Sequence, residues 1–428
     1  MHDFDLGTTL RQGRRAAIAL AKLSGSQKDQ ALKSLARALK TEGDHLLEAN
    51  TLDLELAREG SLAEWVVEGM KLTPERLQRC AHQVETLAQA ADPIGLLDQG
   101  YRQDNGLMVT RQRIPLGLIA LLYEIYPEFA ILGMSMALKT GNSLMLACHP
   151  SLLRTHQAIL HHLGETVYTV GIPESAIQSV PLEGAEVEPS ESPMPLLQQP
   201  RYLDLVIPLG RIPWVDRIVR TSQVPVLRTH LGHGHLYIDA SASWPQVEAL
   251  LLHNLSQIAA DSLPFYQVIT LWMLIHQTWA ERHVGELVTT LTHQGFALQV
   301  GPAIRERFPH LEPIKDGIDS NELPHLRLQQ VSDLSAAIAW INKQGHEQPE
   351  TILADSQIVI QRFVQEVNSC LVYVNSSPLA SRPGSGIPML SSGSGLSLGT
   401  SVQRLHARGP IELAALTTTK YVVLGNSF

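Results

Sequence analysis

The chain has 428 residues, with 33 Lys+Arg against 42 Asp+Glu, which gives a formal net charge of −9 and a pI of about 6.0. This length suggests about two to three domains, each long enough to bury a core. A hydrophobic fraction of 44% excludes a disordered chain, and glycine and proline without a fixed period exclude a collagen-like one. The acidic balance argues against a general nucleic-acid surface, because phosphate binding depends on clustered lysine and arginine.

The cysteine content and the apolar stretches indicate a compartment. Cys80, Cys148 and Cys370 are too few and too scattered for a disulfide scaffold. The acidic start of the chain lacks the basic and apolar regions of a signal peptide. The most apolar stretches, 114–138 and 263–275, either contain charged residues and prolines or are too short to span a bilayer. We therefore expect a cytoplasmic protein that does not enter the membrane.

Residues 8–92 are predicted to be helical. Leucines and alanines recur at helical spacing from Leu10 to Leu23, and a second stripe of leucines predicts one helical segment over 30–49. Thr73, Pro74 and Glu75 form a helix start, because they supply an N-cap, a proline in the first turn and an early acidic side chain.

Strands alternate with helices beyond this region, which predicts parallel sheets in an α/β protein. Strands are predicted at 107–113, 117–123, 143–147, 202–207, 224–227, 235–238, 268–274, 297–300, 351–354 and 371–375. Helices are predicted at 128–138, 151–167, 245–260, 279–293, 334–342 and 357–367. Residues 183–200, which are acidic and rich in proline, and residues 376–400, rich in serine, glycine and proline, are expected to be loops.

Two segments have the residue types of a ligand site. Gly393, Gly395 and Gly399 resemble a dinucleotide-binding turn, but no βαβ unit follows them, so a flexible loop is the better interpretation. His230, His233 and His235, with Asp239 on the same predicted strand face as His235, could ligate a metal, whereas a polar turn is the more usual role of such clusters. The interpretation favoured here includes no metal site.

Other candidate side chains have structural interpretations as well. Cys148 and His149 are adjacent, and neighbouring side chains on a strand point to opposite faces, so the pair does not imply a catalytic dyad. Cys80 and Cys370 are expected to be small buried hydrophobes. His406 and Arg408 could contact an anionic ligand, but a structural turn before the Gly-Pro break explains them equally well.

Several stretches, in order along nearly the whole chain, resemble the gamma-glutamyl phosphate reductase family of the aldehyde dehydrogenase superfamily. They are 114–119 with 123–124, 138–142, 202–208, 235–239, 372–375 and 405–420, where Leu405-His-Ala-Arg-Gly-Pro410 and Ala415-Leu-Thr-Thr418 are specific to this family.

This resemblance implies an aldehyde dehydrogenase-like α/β fold with a Rossmann-like cofactor domain, a second α/β domain of catalytic type and a small oligomerisation element. It places the N-terminal helices and the cofactor-type domain at 1–240, the catalytic-type domain at 241–376, and a mobile loop with the oligomerisation segment at 377–428. The strand near 105–113 is expected to join the oligomerisation element. The resemblance also implies NADPH-dependent reduction of L-glutamyl 5-phosphate to the semialdehyde, in proline biosynthesis, through a cysteine thioester.

The sequence departs from the family pattern at the loops that carry this chemistry. Anchored on Pro264 and His276, the position of the family cysteine falls on Gln267, and an amide is not a nucleophile. The cofactor loops differ as well. The family's Glu-Ala-Arg-Pro-Asn reads Glu124-Ile125-Tyr126-Pro127-Glu128 here, and its Arg-Gly-Gly-Lys-Glu reads Ala147-Cys148-His149-Pro150-Ser151. Its Gly-Gly-Ala-Gly segment reads Gly210-Arg211-Ile212-Pro213.

These losses favour a non-catalytic paralogue that serves as a binding, regulatory or structural subunit, as a homo-oligomer or with a protein partner. No catalytic residue and no cofactor-binding residue is assigned in this interpretation. Two alternatives stay open. One is an active NADPH-dependent reductase in which Ser262, or a cysteine from another loop, replaces the nucleophile. The other is an altered oxidoreductase that acts on a different substrate.

Overall fold

The computed structural model describes residues 4–60, 62–181, 194–229, 234–260, 272–315, 326–344, 348–376 and 396–425, with the backbone alone for 253–260. The helices are α1 (Leu6–Leu20), α2 (Gly25–Thr41), α3 (Gly43–Glu59), α4 (Glu64–Met70), α5 (Pro74–Gln89), α6 (Glu128–Thr140), α7 (Leu153–Ile159), α8 (Glu165–Tyr168), α9 (Ile212–Thr221), α10 (Trp244–Ala260), α11 (Gln277–His293), α12 (Pro302–Arg307), α13 (Leu334–Gln344) and α14 (Gln357–Glu366). The strands are β1 (Leu97–Arg102), β2 (Met108–Pro115), β3 (Leu118–Tyr123), β4 (Ser143–Cys148), β5 (Ile177–Ser179), β6 (Leu205–Leu209), β7 (His235–Ile238), β8 (Trp272–His276), β9 (Leu298–Val300), β10 (Glu312–Pro313), β11 (Leu326–Val331), β12 (Glu350–Leu353), β13 (Val372–Val374), β14 (Thr400–Ser401), β15 (Gly409–Pro410) and β16 (Thr417–Leu424).

The chain forms two compact units. The first comprises Met1–Leu62, Met70–Thr229 and Arg382–Phe428, and the second comprises Ala63–Gly69 and His230–Ser381. Strand β7, which the sequence boundary at 240 assigns to the first domain, pairs with β8 and β12 in the sheet of the second unit. The boundary therefore lies near 230, because a strand belongs with the sheet that satisfies its backbone hydrogen bonds.

The first unit is built on a four-stranded parallel sheet in the order β5-β4-β3-β6. Every residue of β3, β4 and β6 is buried, which explains their continuous apolar sequences. Helices cover the sheet, and α6 ends at Gly141, whose φ of +71° suits glycine at a left-handed C-cap.

A separate three-stranded antiparallel sheet in this unit has the order β1-β2-β16. Strand β2, which begins at Met108, pairs along its full length with β16 near the C-terminus. The strand predicted at 107–113 and the C-terminal segment therefore form one element, while its expected role in oligomerisation stays a prediction.

The second unit contains a seven-stranded parallel sheet in the order β10-β9-β11-β8-β7-β12-β13. Apolar side chains fill both of its faces. Leu236 and Met273 belong to the core on one face, and Tyr237 and Leu274 belong to the core on the other.

Several predicted elements are confirmed and others are corrected. Thr73 does cap α5, with its side chain accepting a hydrogen bond from the backbone of Arg76. The single helical segment predicted over 30–49 is wrong, because Glu42 leaves the helical conformation with φ −100° and ψ 7° and separates α2 from α3. The predicted strand at 224–227 is reduced to one bridge between Val206 and Val226.

The helix predicted over 151–167 also needs correction. A π-helical turn from Leu160 to Gly164 separates α7 from α8. Among the described residues, no helix combines the length and the apolar character that crossing a bilayer requires.

Candidate functional site

The strand order of the first unit defines a crevice at the carboxyl edge of its parallel sheet. The chain moves outward from β3 through β4 to β5 and then returns to the opposite side of β3 as β6. The point where the direction reverses lies between β3 and β6, which pair in parallel from Ile119 to Tyr123. Ligands of open α/β sheets bind at this reversal, outside the carboxyl ends of the strands. We therefore place the candidate site here, among the residues that follow β3, β4 and β6.

Glu124 and Arg211 meet directly at this reversal point. Glu124 follows β3, Arg211 precedes α9, and the Glu124 carboxylate is 3% exposed. Oε1 of Glu124 accepts hydrogen bonds from Arg211 Nε at 2.9 Å and from Nη2 at 2.5 Å. Oε2 accepts a third hydrogen bond from the Arg211 backbone N–H at 2.7 Å. The carboxylate is thus held both by a guanidinium group and by the backbone at the start of a helix, where negative charge is favoured.

Gly210 allows this close contact. A Cβ at position 210 would lie 2.8 Å from Glu124 Oε2 and 2.9 Å from Glu124 Cβ, and 2.6 Å from the Trp214 ring. These distances are too short for carbon, so the ion pair and the adjoining turn require glycine at this position.

His149 follows β4 at the same edge of the sheet. Its backbone N–H donates to the Tyr123 carbonyl at 2.9 Å, and its Nδ1 lies 3.0 Å from Ser151 Oγ. Burial lowers the pKa of His149, while the nearby Glu124 raises it and Arg211 lowers it. The imidazole is therefore disposed to remain uncharged beside the ion pair, and its Nδ1 bonds to Ser151 rather than to the adjacent Cys148.

Cys148 and Cys80 do not have the properties of a nucleophile. Burial raises the pKa of Cys148 to about 12 and raises that of Cys80 further. A nucleophilic cysteine needs the thiolate, which low-dielectric surroundings disfavour. Both side chains are buried, which confirms the expectation for Cys80, whereas the same expectation for Cys370 is wrong because that side chain is partly exposed.

A buried chain of polar side chains near this edge was not foreseen from the sequence. The Tyr123 hydroxyl lies 2.8 Å from His156 Nδ1, and His156 Nε2 lies 2.9 Å from Ser179 Oγ. Burial lowers the pKa of His156 to about 4, so the ring is neutral at pH 7. The three residues lie on β3, α7 and β5, and no local sequence pattern could have indicated their contact.

The remaining predicted positions that the structure describes lie in a turn near the C-terminus and along β7. His406 has a φ of +69°, and its Nε2–H donates to the Ala415 carbonyl at 2.7 Å, which supports a structural turn. Arg408 is exposed in the same loop. His235 begins β7 and Asp239 follows its last residue, so the two lie about 13 Å apart at the usual rise of a strand.

Some predictions fall on positions outside the described residues: His230, His233, Ser262, Gln267, Gly393 and Gly395. Within the described ranges, no group of three or more histidine, cysteine or acidic side chains has an arrangement that could hold a metal ion.

The fold is that of an aldehyde dehydrogenase-like α/β protein. A solved probable aldehyde dehydrogenase from Listeria monocytogenes covers 98% of this chain, and the chain covers 96% of it, with a TM-score of 0.68 at 14% identity. The gamma-glutamyl phosphate reductase from Thermotoga maritima is more similar, with a TM-score of 0.83 at 27% identity over 98% of each chain.

Sequence comparison defines the family. The gamma-glutamyl phosphate reductase of Gloeobacter violaceus is 33% identical over 423 residues, which are 98% of this chain and 97% of that relative. No protein-family model matches the chain. On the strength of the full-length relatives, the chain belongs to the gamma-glutamyl phosphate reductase family.

Proposed function

We propose that this chain is a non-catalytic member of its family and serves as a binding, regulatory or structural subunit. The observation that carries the proposal is the Glu124–Arg211 pair at the sheet reversal. The Arg211 guanidinium and backbone N–H are both directed to a carboxylate of the chain itself, with donor–acceptor distances of 2.5–2.9 Å.

These residues do not fit a dinucleotide. A pyrophosphate that approached the N-terminus of α9 would meet the negative charge of Glu124, and the backbone donor beside it is already bonded. The Gly-Gly-Ala-Gly segment of the family would allow the backbone to approach a ligand closely, whereas Arg211, Ile212 and Pro213 carry side chains at the last three of those four positions. We therefore assign no NADPH-dependent step to this chain.

The proposal also agrees with the cysteine content. No cysteine lies between Cys148 and Cys370 in the sequence, so the family position at Gln267 has no thiol near it along the chain. None of the three cysteines forms a disulfide bond, which suits the reducing cytoplasm that we propose as the compartment.

One alternative deserves a direct test, because a particular thiol favours it. Cys370 is partly exposed and lies two residues before the edge strand β13, at the amino edge of the second unit's sheet. If the chain is an active reductase, Cys370 is a better substitute nucleophile than the two buried cysteines.

The discriminating experiment is NADPH oxidation with freshly generated L-glutamyl 5-phosphate, with a catalytically competent family member as the positive control. We expect no turnover above the rate without protein. Turnover that is abolished by Cys370→Ser or by Ser262→Ala, but not by Cys80→Ser, would refute the non-catalytic proposal and identify the replacement nucleophile.

We further propose that the chain self-associates through the β1-β2-β16 sheet. Tyr101 and Val423 lie on either side of Val109 on one face and are 54% and 57% exposed, and the neighbouring Tyr421 is 65% exposed. Light scattering coupled to size-exclusion chromatography should give a mass above 47.1 kDa, and Val423→Lys should reduce it. A monomeric wild-type chain would instead favour a separate protein partner, which a pull-down from native extract would identify.

A further inference from the structure

The turn that joins β1 to β2 carries Asn105 and Gly106, and Asn105 is the one asparagine of the sequence that is followed by glycine. Across this turn the Gln103 N–H donates to the Leu107 carbonyl at 2.8 Å, and the Gly106 N–H donates to the Gln103 carbonyl at 2.9 Å. Gly106 has a φ of +87°. These features define a three-residue loop in which a type I turn is followed by glycine in the left-handed conformation. Asn105 is exposed at its tip, where packing constrains the backbone least.

The Asn105 side chain is held against its own backbone. Its Oδ1 accepts a hydrogen bond from the Leu107 N–H at 3.1 Å. The ring that this hydrogen bond closes contains both Cγ of Asn105 and the backbone nitrogen of Gly106, so the side chain is kept beside that nitrogen. The Leu107 N–H also stabilises negative charge that develops on Oδ1 when a nucleophile attacks Cγ. The turn therefore prepares Cγ for attack by the nitrogen of the next residue.

Two other asparagines show what distinguishes Asn105. Asn142 is 1% exposed, and its Nδ2 donates to the Leu416 carbonyl at 2.8 Å. Asn368 is exposed, but the next residue is Ser369, whose Cβ lies beside the backbone nitrogen. Of these three asparagines, Asn105 is the one that combines exposure with an unhindered neighbouring nitrogen.

We propose that Asn105 is a site of spontaneous deamidation through a cyclic imide. Asparagine is among the thermolabile residues, and the reaction needs water as its only co-reactant. The backbone nitrogen of Gly106 bonds to Cγ of Asn105, the bond between Cγ and Nδ2 breaks, and the amide group leaves as ammonia with the proton of Gly106. Water then opens the imide at either carbonyl and leaves aspartate or isoaspartate, without oxidation or reduction.

The two products change the turn in different ways. Both replace the neutral amide by a carboxylate next to Asp104. In isoaspartate the main chain also passes through Cβ and Cγ, which lengthens it by one carbon atom and displaces Gly106 relative to Gln103. We expect the hydrogen bond between Gly106 and Gln103 to be lost in that product. The modification depends neither on the crevice nor on catalysis, so it goes beyond the function proposed above and can fail separately from it.

The test incubates the native full-length chain in water enriched in heavy oxygen, at neutral and at mildly alkaline pH. Samples are digested with pepsin at low pH, and the peptide that contains Asn105 is followed by mass spectrometry. We expect it to gain the mass of a heavy-oxygen carboxylate about tenfold faster than the peptide that contains Asn368, which corresponds to a barrier lower by about 1.4 kcal/mol. The rate should rise with pH, because the attacking nitrogen must lose its proton. A protein isoaspartate methyltransferase should then label the modified chain.

Two variants separate the steps of the proposal. Asn105→Gln should abolish the mass gain, because glutamine would have to close a larger ring. Asn105→Asp carries the new charge without the longer main chain, so we expect faster hydrogen exchange of the Gly106 amide in the isoaspartate form but not in this variant. Equal exchange in the two forms would overturn the predicted change in the turn.

The chain unfolded in guanidinium chloride shows whether the native turn permits the reaction. The proposal is overturned if Asn105 in the native chain is modified no faster than Asn368, if it is modified only after unfolding, or if no isoaspartate is formed.

Discussion

Removal of the Arg211 side chain provides a direct measure of the ion pair in the crevice. Arg211→Ala deletes the two guanidinium contacts to Glu124 at 2.5 Å and 2.9 Å and leaves the backbone contact at 2.7 Å in place. Breaking a fully buried pair costs about 3–5 kcal/mol, because the remaining charge loses its compensation. Here the Arg211 side chain is 35% exposed and the carboxylate keeps one donor, so we expect a loss of about 2 kcal/mol.

Native-state hydrogen exchange of the β3 and β6 amides is the appropriate assay, because it reports the opening free energy of the first unit alone. Arg220→Ala is the matched control, since Arg220 is exposed in the last turn of the same helix and its loss should cost about 0.5 kcal/mol or less. A double-mutant cycle with Glu124→Gln should give a coupling energy of about 1–2 kcal/mol. If Arg211→Ala costs no more than Arg220→Ala, the ion pair does not stabilise the first unit, and the reasoning is refuted.

Three further predictions concern the packing and the titration of buried groups. Gly210→Ala should destabilise the first unit by about 1–3 kcal/mol through contact with Glu124, whereas Gly285→Ala, in α11 with open space around it, should be neutral or stabilising in the same denaturation assay. Because the pKa of His156 is lowered, the stability that its neutral ring contributes is fully present above the ordinary value of 6.5 and is lost as the pH falls toward about 4. The free energy of unfolding should therefore change between pH 7 and pH 4 by about 3 kcal/mol less in His156→Gln than in wild type. An unchanged difference would exclude a neutral buried ring. The raised pKa of Glu350 acts in the opposite direction, because the stability that its protonated form contributes is present below the ordinary value of 4.5 and is lost as the pH rises. The free energy of unfolding of wild type relative to that of Glu350→Gln should therefore fall between pH 4.5 and pH 7. A rise would contradict this direction.

The local elements were largely predictable because their signals are local. The continuous apolar residues of β3 and β4 indicate strands buried on both faces, and Thr73 with Pro74 identifies the start of α5. The break between α2 and α3 was missed because leucines continue at helical spacing across it, while a change in backbone conformation at Glu42 ends the helix.

The contacts of the candidate sites could not be predicted in the same way. Glu124 and Arg211 are 87 residues apart and meet because Tyr123 and Leu209 are paired at the ends of parallel strands. His235 and Glu350 are 115 residues apart and meet through the pairing of β7 with β12. The sequence indicates that the cofactor loops differ from the family, but only the strand register reveals that two of the replaced segments bond to each other.

Titration of the intact chain with NADPH by isothermal calorimetry tests the central claim most directly. Because the carboxylate of Glu124 and the guanidinium of Arg211 bond to each other at the sheet reversal, we predict no saturable heat up to about 1 mM NADPH, a concentration at which binding of about −4 kcal/mol would be detected. Saturable binding with a micromolar dissociation constant would contradict the account.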